Sequence, residues 1–267
     1  MIGKKTILAS NTALSFPCYT NDTKDKHYTR GLMPRDCRAW LFGSYVPADV
    51  YSGFGFSNMA SHCQESDNII DDKIIAVDSG LDFLRSKSIK PDLILGDFDS
   101  LQEPSILSEY PSSIILQFPQ AKNETDMELA VKWCISNKIK EIVICNDMKG
   151  RLDHTLGLIQ NLILATKAAI PARIETGSQV VFFLDNITQL SFPSASLLSI
   201  IPYSRNVSFT KSTGLQYPLD GISISIHSSR AISNVIIDPG AVINKKNGLA
   251  LAIITPVCII HSICNTD

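Results

Sequence analysis

From Arg38 onward, short apolar runs alternate with stretches of helical periodicity. "RAWLF" opens the series, and "KIIAV" (73–77), "PDLIL" (91–95), "SIILQF" (113–118) and "EIVIC" (141–145) are nearly unbroken in their apolar character. Such runs suit strands buried on both faces, as in a parallel sheet. Helical patterns follow three of them. "LDFLRS" follows the first, and the segment from Thr125 opens with a Thr-x-x-Glu capping box before Leu129 and Trp133. The segment after Asp153 places Leu156, Ile159 and Ile163 on one stripe. Trp133, at core spacing, reads as packing. Strand, loop and helix in repetition predict an open, mostly parallel α/β layer.

The pattern changes after about residue 178. "LLSIIPY", "NVSFT", "ISISIHSS", "NVIID" and "GLALAIIT" are short and β-rich, broken by Pro, Gly and Asn. They predict a small all-β sandwich. Residues 1–37 are polar and without period, and read as a loosely structured extension. The expected organisation is therefore an extension (1–37), an α/β domain (38–177) and a β-sandwich domain (178–267).

Length and composition agree with two cores, since the chain has 267 residues and is 45% hydrophobic. A net charge of −2 gives no electrostatic footprint for nucleic acid or an anionic membrane. No apolar run approaches the ~18 residues of a membrane span. The seven cysteines (18, 37, 63, 134, 145, 258, 264) form no C-x-x-C pair, which fits reduced thiols in the cytoplasm. Polar residues interrupt "MIGKKTILASNTALSF", which argues against a cleaved targeting peptide.

The chemistry lies where the strands end. In open parallel sheets, ligands bind outside the carboxyl ends of the strands. Asp78 follows "KIIAV", Asp97 and Asp99 follow "PDLIL", Asp126 lies past "SIILQF", and Asp153 ends the loop after "EIVIC". If residues 97–99 are extended, Asp97 and Asp99 share a face while Phe98 packs the other way. Adjacent carboxylates repel unless a cation separates them or one is protonated. Magnesium supplies that charge, binding one or two carboxylates plus substrate phosphates. Gly96 would let the backbone approach a bulky anion.

Each acid alone also fits an ordinary role. Asp-x-Asp is common in turns, Asp126 suits a first helical turn, Asp153 suits an N-cap, and Asp78 before Ser79-Gly80 suits a turn. Four successive strand ends carrying acids favour a metal–phosphate site. Arg151 in "KGRLDH" adds a guanidinium shaped for phosphate oxygens. Lys149 reads more readily as a solvated cation. Lys122 either meets a phosphate or keeps a polar loop in water, and His154 is either a base or a structural donor. No P-loop, H-E-x-x-H or kinase catalytic-loop signature occurs, and "GFGFSN" at 53–58 does not fit G-x-G-x-x-G.

Taken in order, "DSG" (78–80), "GDFDS" (96–100), "TD" (125–126), "GRLDH" (150–154) and "SN" (233–234) resemble the thiamine pyrophosphokinase family. The resemblance covers roughly residues 38–260, and its specific parts are GDFDS and GRLDH in this order and spacing. It implies transfer of diphosphate from ATP to the hydroxyl of thiamine, giving thiamine diphosphate and AMP. It further implies a homodimer with active sites at the subunit interface. By motif, Asp97, Asp99 and Asp126 would act around Mg²⁺ and the ATP phosphates. Asp78 and Asp153 would complete the acidic site, and Arg151 would contact nucleotide or diphosphate. Gly80, Ser100, Lys122 and Thr125 would lie along the substrate, with Ser233 and Asn234 holding thiamine.

The chain departs from the family pattern at Ser79, Asn123 and Lys149, where glycine, an acid and glycine are usual. Two other readings stand beside this one. They are a Mg²⁺-dependent nucleotidyl- or sugar-nucleotide transferase, and a catalytically silent thiamine- or nucleotide-binding regulator. Retention of five acids argues against silence.

Overall fold

The computed structural model describes residues 5–8, 37–47 and 72–257. The stretch 53–58 and cysteines 18, 63, 258 and 264 lie outside the described residues. The chain divides into two compact units, Ser15–Gly177 and Met1–Leu14 with Ser178–Asp267. The first strand, β1 (Lys5–Leu8), belongs to the second of these.

Among the described residues, the Ser15–Gly177 unit is built on six strands. They are β2 (Arg38–Phe42), β3 (Lys73–Val77), β4 (Leu93–Gly96), β5 (Ile115–Gln117), β6 (Glu141–Cys145) and β7 (Ala172–Glu175). All pair in parallel, in the order β7-β6-β2-β3-β4-β5. The apolar runs are continuous because Trp40, Leu41, Ile75, Ile94 and Val143 are buried within the sheet. Each such side chain contributes about 1.5–3 kcal/mol on leaving water. The chain leaves β2 toward β3, β4 and β5, then returns to β6 on the other side of β2. That reversal makes a crevice at the carboxyl ends of the central strands.

Among the described residues, three α-helices complete the layer: α1 (Gly80–Ser86), α2 (Asp126–Ser136) and α3 (Leu152–Lys167). Thr125 caps α2 by accepting a hydrogen bond from the Glu128 amide at 3.2 Å. The Glu128 carboxylate turns outward to Lys132 at 2.8 Å. The buried stripe of α2 is Met127, Ala130, Val131 and Cys134, which leaves Trp133 only half-buried. On α3 the stripe is Leu158, Ile159, Leu162 and Ala165, and Leu156 faces water. The two i, i+3/i+4 ladders overlap at Ile159, so the sequence supported both until packing chose one.

A charged ladder crosses the apolar sheet. Arg38 Nε meets Glu141 at 2.8 Å, Glu141 also pairs with Arg173, and Arg173 Nε meets Glu175 at 2.7 Å. Both guanidinium carbons lie 5.9 Å from the Trp40 ring centroid.

The second unit is antiparallel but for β1. One sheet has the order β1-β9-β14-β11-β12, with β9 (Ile187–Ser191), β11 (Asn206–Thr213), β12 (Ser223–Ser225) and β14 (Val242–Asn247). Strand β1, within the stretch read as an extension, pairs in parallel with β9. The other antiparallel group is formed by β8 (Val180–Phe183), β10 (Leu197–Pro202), β13 (Asn234–Val235) and β15 (Ala250–Thr255). Burial alternates along β10 and the start of β11, giving each sheet one inward face, as in a sandwich.

Candidate active site

The rim is assembled from the first residues beyond the parallel strands. Backbone pairing continues past β3 and β4, with Asp78 N donating to Leu95 O (2.8 Å) and Phe118 N to Gly96 O (2.9 Å). Asp78 then enters the left-handed region at φ 48°. It can approach the neighbouring strand because residue 96 is glycine: a Cβ there would lie 3.2 Å from Asp78 Cα. Gly80 is more tightly constrained. A Cβ on it would sit 1.8 Å from Phe42 O, so the start of α1 passes directly against β2.

Asp97 and Asp99 converge, but through a turn and not an extended segment. Phe98 takes φ 65° and is buried, while the Asp99 amide donates to Asp97 Oδ1 at 3.3 Å. A left-handed phenylalanine costs on the order of 1–3 kcal/mol, which the anchored ring offsets. The result is one cluster in which ligand oxygens of Asp78, Asp97 and Asp99 lie within 4.8 Å of one another. Ser100 Oγ donates to Asp99 Oδ1 at 2.9 Å.

Asp126 and Lys122 adjoin this cluster. The Lys122 ammonium pairs with Asp97 Oδ2 and stands 3.2 Å from Asp126 Oδ1. The Asp126 oxygen gains an ion-pair partner but no aligned hydrogen bond. Burial raises the Asp126 carboxyl, helped by the Asp97 charge and opposed by the close contact and charge of Lys122. Asp78 is raised chiefly by burial too, against hydrogen bonding from Ser100 and the Ser79 amide, with the Asp126 and Asp99 charges adding to the rise. For Asp97, burial acts upward, but the hydrogen bonds and charge of Lys122 and the Asp99 amide leave it lowered.

Asp78 Oδ1 is buried without a hydrogen-bond partner, on a residue 8% exposed. A buried carboxylate oxygen left open within a group of hard oxygen donors fits a divalent cation such as Mg²⁺.

The loops beyond β2 and β6 close the crevice. Ser44 Oγ and Ser79 Oγ are 2.8 Å apart, Asn146 Nδ2 donates to Ser44 O at 2.5 Å, and Asp147 N donates to Tyr45 O at 2.8 Å. Ser79, where glycine is usual in the motif, thus ties the acid turn to the adjacent loop. Arg151 is the N-cap residue of α3, and Asp153 lies within the first turn. They form a two-pronged pair at 2.7 and 3.2 Å, which holds Asp153 at about 2. Both are well exposed, and Lys149 stands in water 3.7 Å from Asp147.

Ser233 and Asn234 belong to the second unit. Ser233 is exposed at φ 59°, with its amide donating to Ser199 Oγ (3.1 Å). Asn234 is buried, and its side-chain oxygen accepts from the amides of Tyr217 (3.0 Å) and Val235 (2.8 Å). Its Nδ2 donates to Tyr217 O at 2.8 Å. It borders a pocket of about 330 Å³ with Tyr217, Leu219, Ile224, Arg230 and Ile232.

Sequence reasoning missed Ser44, Tyr45, Asn146 and Tyr217. The strand-end rule would have found Ser44 and Asn146, which follow "RAWLF" and "EIVIC", had it been applied to uncharged residues. Nothing local marks Tyr217.

An acidic rim at the switch point of a parallel sheet, joined in one chain to a β-sandwich, defines a two-domain phosphotransferase of α/β type. Residues 68–174 match the family model for the thiamin pyrophosphokinase catalytic domain, and residues 188–250 match that for its vitamin B1 binding domain. The chain is 30% identical over 182 residues to the thiamine pyrophosphokinase of Bacillus subtilis, covering 67% of this chain and 85% of that one. It is 22% identical over 192 residues to thiamin pyrophosphokinase 1 of Caenorhabditis elegans, covering 67% and 77%. The protein belongs to the thiamine pyrophosphokinase family. The fold is shared with the B. subtilis crystal structure (TM-score 0.69, 24% identity, 83% of this chain and 99% of that one). It is shared also with the yeast enzyme (TM-score 0.65, 14% identity, 86% and 90%).

Proposed function

We propose that the protein transfers the terminal diphosphate of ATP to the hydroxyl of thiamine, giving thiamine diphosphate and AMP. The observation that carries this reading is the convergence of Asp78, Asp97 and Asp99, with the open buried oxygen of Asp78 among them. The motif resemblance sets Asp97, Asp99 and Asp126 around Mg²⁺; the clustered oxygens are those of Asp78, Asp97 and Asp99, so these three would hold the ion, with Asp126 as the fourth carboxylate of the rim. Bound there, the ion offsets charge on the phosphoryl oxygens.

The chain's own groups supply alignment and further positive charge. Arg151, already arranged for two-pronged contact with a carboxylate, presents the same fork to phosphate. Ser100 and Thr125, exposed on the acid turn and before the start of α2, would lie along the substrate, while the buried Gly80 would act by fixing the turn that carries Asp78. Holding the thiamine hydroxyl in line with the β-phosphorus removes much of the entropic part of the barrier.

Thiamine is assigned to the second unit, with Ser233, Asn234 and the Tyr217 pocket. We assign this contact to the partner subunit of a homodimer. Tyr217, Ile226, Ile232 and Ile237 support that assignment, since each is a large apolar side chain at least 45% exposed. A cytoplasmic setting is supported by three buried free thiols, Cys37, Cys134 and Cys145. Among the described residues, no helix is long and apolar enough to cross a membrane.

Incubation with ATP, Mg²⁺ and thiamine should yield AMP and thiamine diphosphate in equal amounts. ADP or diphosphate as the product would point to a different transfer. Mixed dimers of D99N and N234A chains should recover about half of wild-type activity, because one of two isologous sites is then intact. No recovery in confirmed heterodimers would place both halves of the site in one chain.

A further inference from the structure

Lys122 is nearly enclosed, with a side chain 11% exposed, and its ammonium lies between two carboxylates, Asp97 (9%) and Asp126 (20%). A lysine kept only for solubility would extend into water, as Lys149 does at 81% exposure. Asp97 belongs both to this pair and to the Asp78–Asp97–Asp99 group. One carboxylate therefore faces a resident cation on one side and a metal-binding geometry on the other. The arrangement is asymmetric, because Asp78 Oδ1 has no partner whereas Asp126 Oδ1 has the ammonium.

Asp78, Asp97, Asp99 and Asp126 around one rim would repel strongly without compensation. The ammonium offsets one charge and keeps Asp97 and Asp126 together. A divalent ion arriving at Asp97 then meets a positive charge already on that residue. Two cations on one carboxylate are unfavourable at such separations in a partly buried site. The lysine stem is flexible enough to carry its head to an incoming anion.

We propose that Lys122 is a built-in counter-cation of the rim: it neutralises Asp97 and Asp126 in the metal-free protein, competes with a divalent ion for Asp97, and passes its ammonium to polyphosphate once the ion is bound. This rests on Asp78, Asp97 and Asp99 forming the metal site. It assigns to Lys122 opposite effects on the two ligands, weakening metal binding alone and strengthening polyphosphate binding to the loaded site.

The test uses the full chain with Mn²⁺ alone, followed by titration calorimetry, and inorganic tripolyphosphate at saturating Mg²⁺. Lys122→Gln should bind Mn²⁺ about tenfold more tightly than wild type or better, and tripolyphosphate about tenfold more weakly. A strut that merely shapes the loop would weaken both, and a bystander would move neither; each result overturns the proposal. Asp99→Asn separates the two levels of inference. If D99N loses Mn²⁺ while K122Q is unchanged, the metal site stands and the counter-cation role falls. If D99N binds Mn²⁺ as wild type does, both fall. Trace acetylation of the wild-type protein, read by peptide mass spectrometry, needs no variant. Lys122 should label slowly without metal and faster with saturating Mg²⁺, and an unchanged rate would overturn the proposal even if K122Q fails to fold.

Discussion

The side-chain amide of Asn234 grips the Tyr217 backbone at both ends, accepting from its amide at 3.0 Å and donating to its carbonyl at 2.8 Å. This clamp sets the wall of the pocket, and the Tyr217 ring stands 59% exposed beside it. Asn234 therefore acts on a ligand through Tyr217 as well as by any direct contact. Truncating Asn234 to alanine leaves buried backbone groups unpaired, at a cost of about 1–3 kcal/mol for each one that water does not reach. N234A should lower the melting temperature and weaken thiamine binding together. Y217A should weaken thiamine binding with little change in melting temperature. Thermal denaturation and calorimetry on both variants check this pairing, and N234A with wild-type stability would mean the clamp is dispensable.

Asp97→Asn and Asp99→Asn should each reduce turnover at least a hundredfold, for different structural reasons. Asp99 is exposed, so D99N should retain wild-type stability. Asp97 holds the Lys122 ammonium, so D97N should also lose the bond that places Lys122. Steady-state rates across a Mg²⁺ titration, with circular dichroism as the folding control, distinguish them. Near-normal rates in both variants would return these acids to ordinary turn chemistry.

Part of this site could be read directly from the sequence. Four acids at strand ends, Asp78, Asp97, Asp99 and Asp126, come together on one rim because a parallel sheet delivers its carboxyl ends to one edge, whereas Asp153 pairs with Arg151 and no contact joins it to them. The mechanism of convergence was not legible. Asp97 and Asp99 were expected to share a face of an extended segment, whereas a left-handed, buried Phe98 turns them together. No propensity predicts that conformation for phenylalanine; it follows from anchoring the ring. Asp78 was placed on the rim but not among the three clustered carboxylates, since its oxygen reaches them only through the close approach at Gly96. Strand β1 was invisible because "KTIL" is short and its partner β9 lies about 180 residues away.

Arg151→Lys should keep the charge and lose the fork. In the ligand-free protein Arg151 bonds Asp153 through Nε and Nη2 together, a contact that a lysine ammonium cannot copy. If the fork transfers to phosphate, R151K should lose about ten- to a hundredfold in kcat/KM for ATP. Because both residues are well exposed, the melting temperature should not move. Equal kinetics in R151K and wild type would leave Arg151 as a generic positive charge.

Gly80 and Ser79 should respond very differently to single substitutions, although both belong to the same motif. A Cβ at residue 80 meets Phe42 O at 1.8 Å and its carbonyl carbon at 2.5 Å, and neither can rotate away. G80A should cost about 3 kcal/mol or more, because α1 or β2 has to shift. S79G loses only an exposed hydroxyl contact with Ser44, worth about 1 kcal/mol or less. Urea denaturation of the two variants tests the contrast, and comparable losses would mean that the α1–β2 approach is softer than its geometry implies.

Asp72 provides a pH dependence that involves no catalytic group. It is buried, its Oδ2 accepts from Trp40 Nε1 at 3.2 Å, and its Oδ1 has no partner. Burial lifts its carboxyl from 3.8 to about 6, with Arg38, Trp40 and Arg173 acting downward and Glu141 upward. The folded chain thus binds this proton more tightly than the unfolded chain, so stability falls as pH rises between about 4 and 6. The favourable contribution is complete below the unfolded value and lost above about 6. The rise from 3.8 to about 6 corresponds to about 3 kcal/mol at most. Asp72→Asn removes the titration while retaining an acceptor for Trp40. Relative to wild type, D72N should therefore gain stability between about pH 4.5 and about pH 7.5, by about 2–3 kcal/mol. Urea midpoints for both proteins across that range measure the difference. Parallel pH profiles would show that Asp72 ionises freely in the folded chain, with its negative charge stabilised by Arg38 and Arg173.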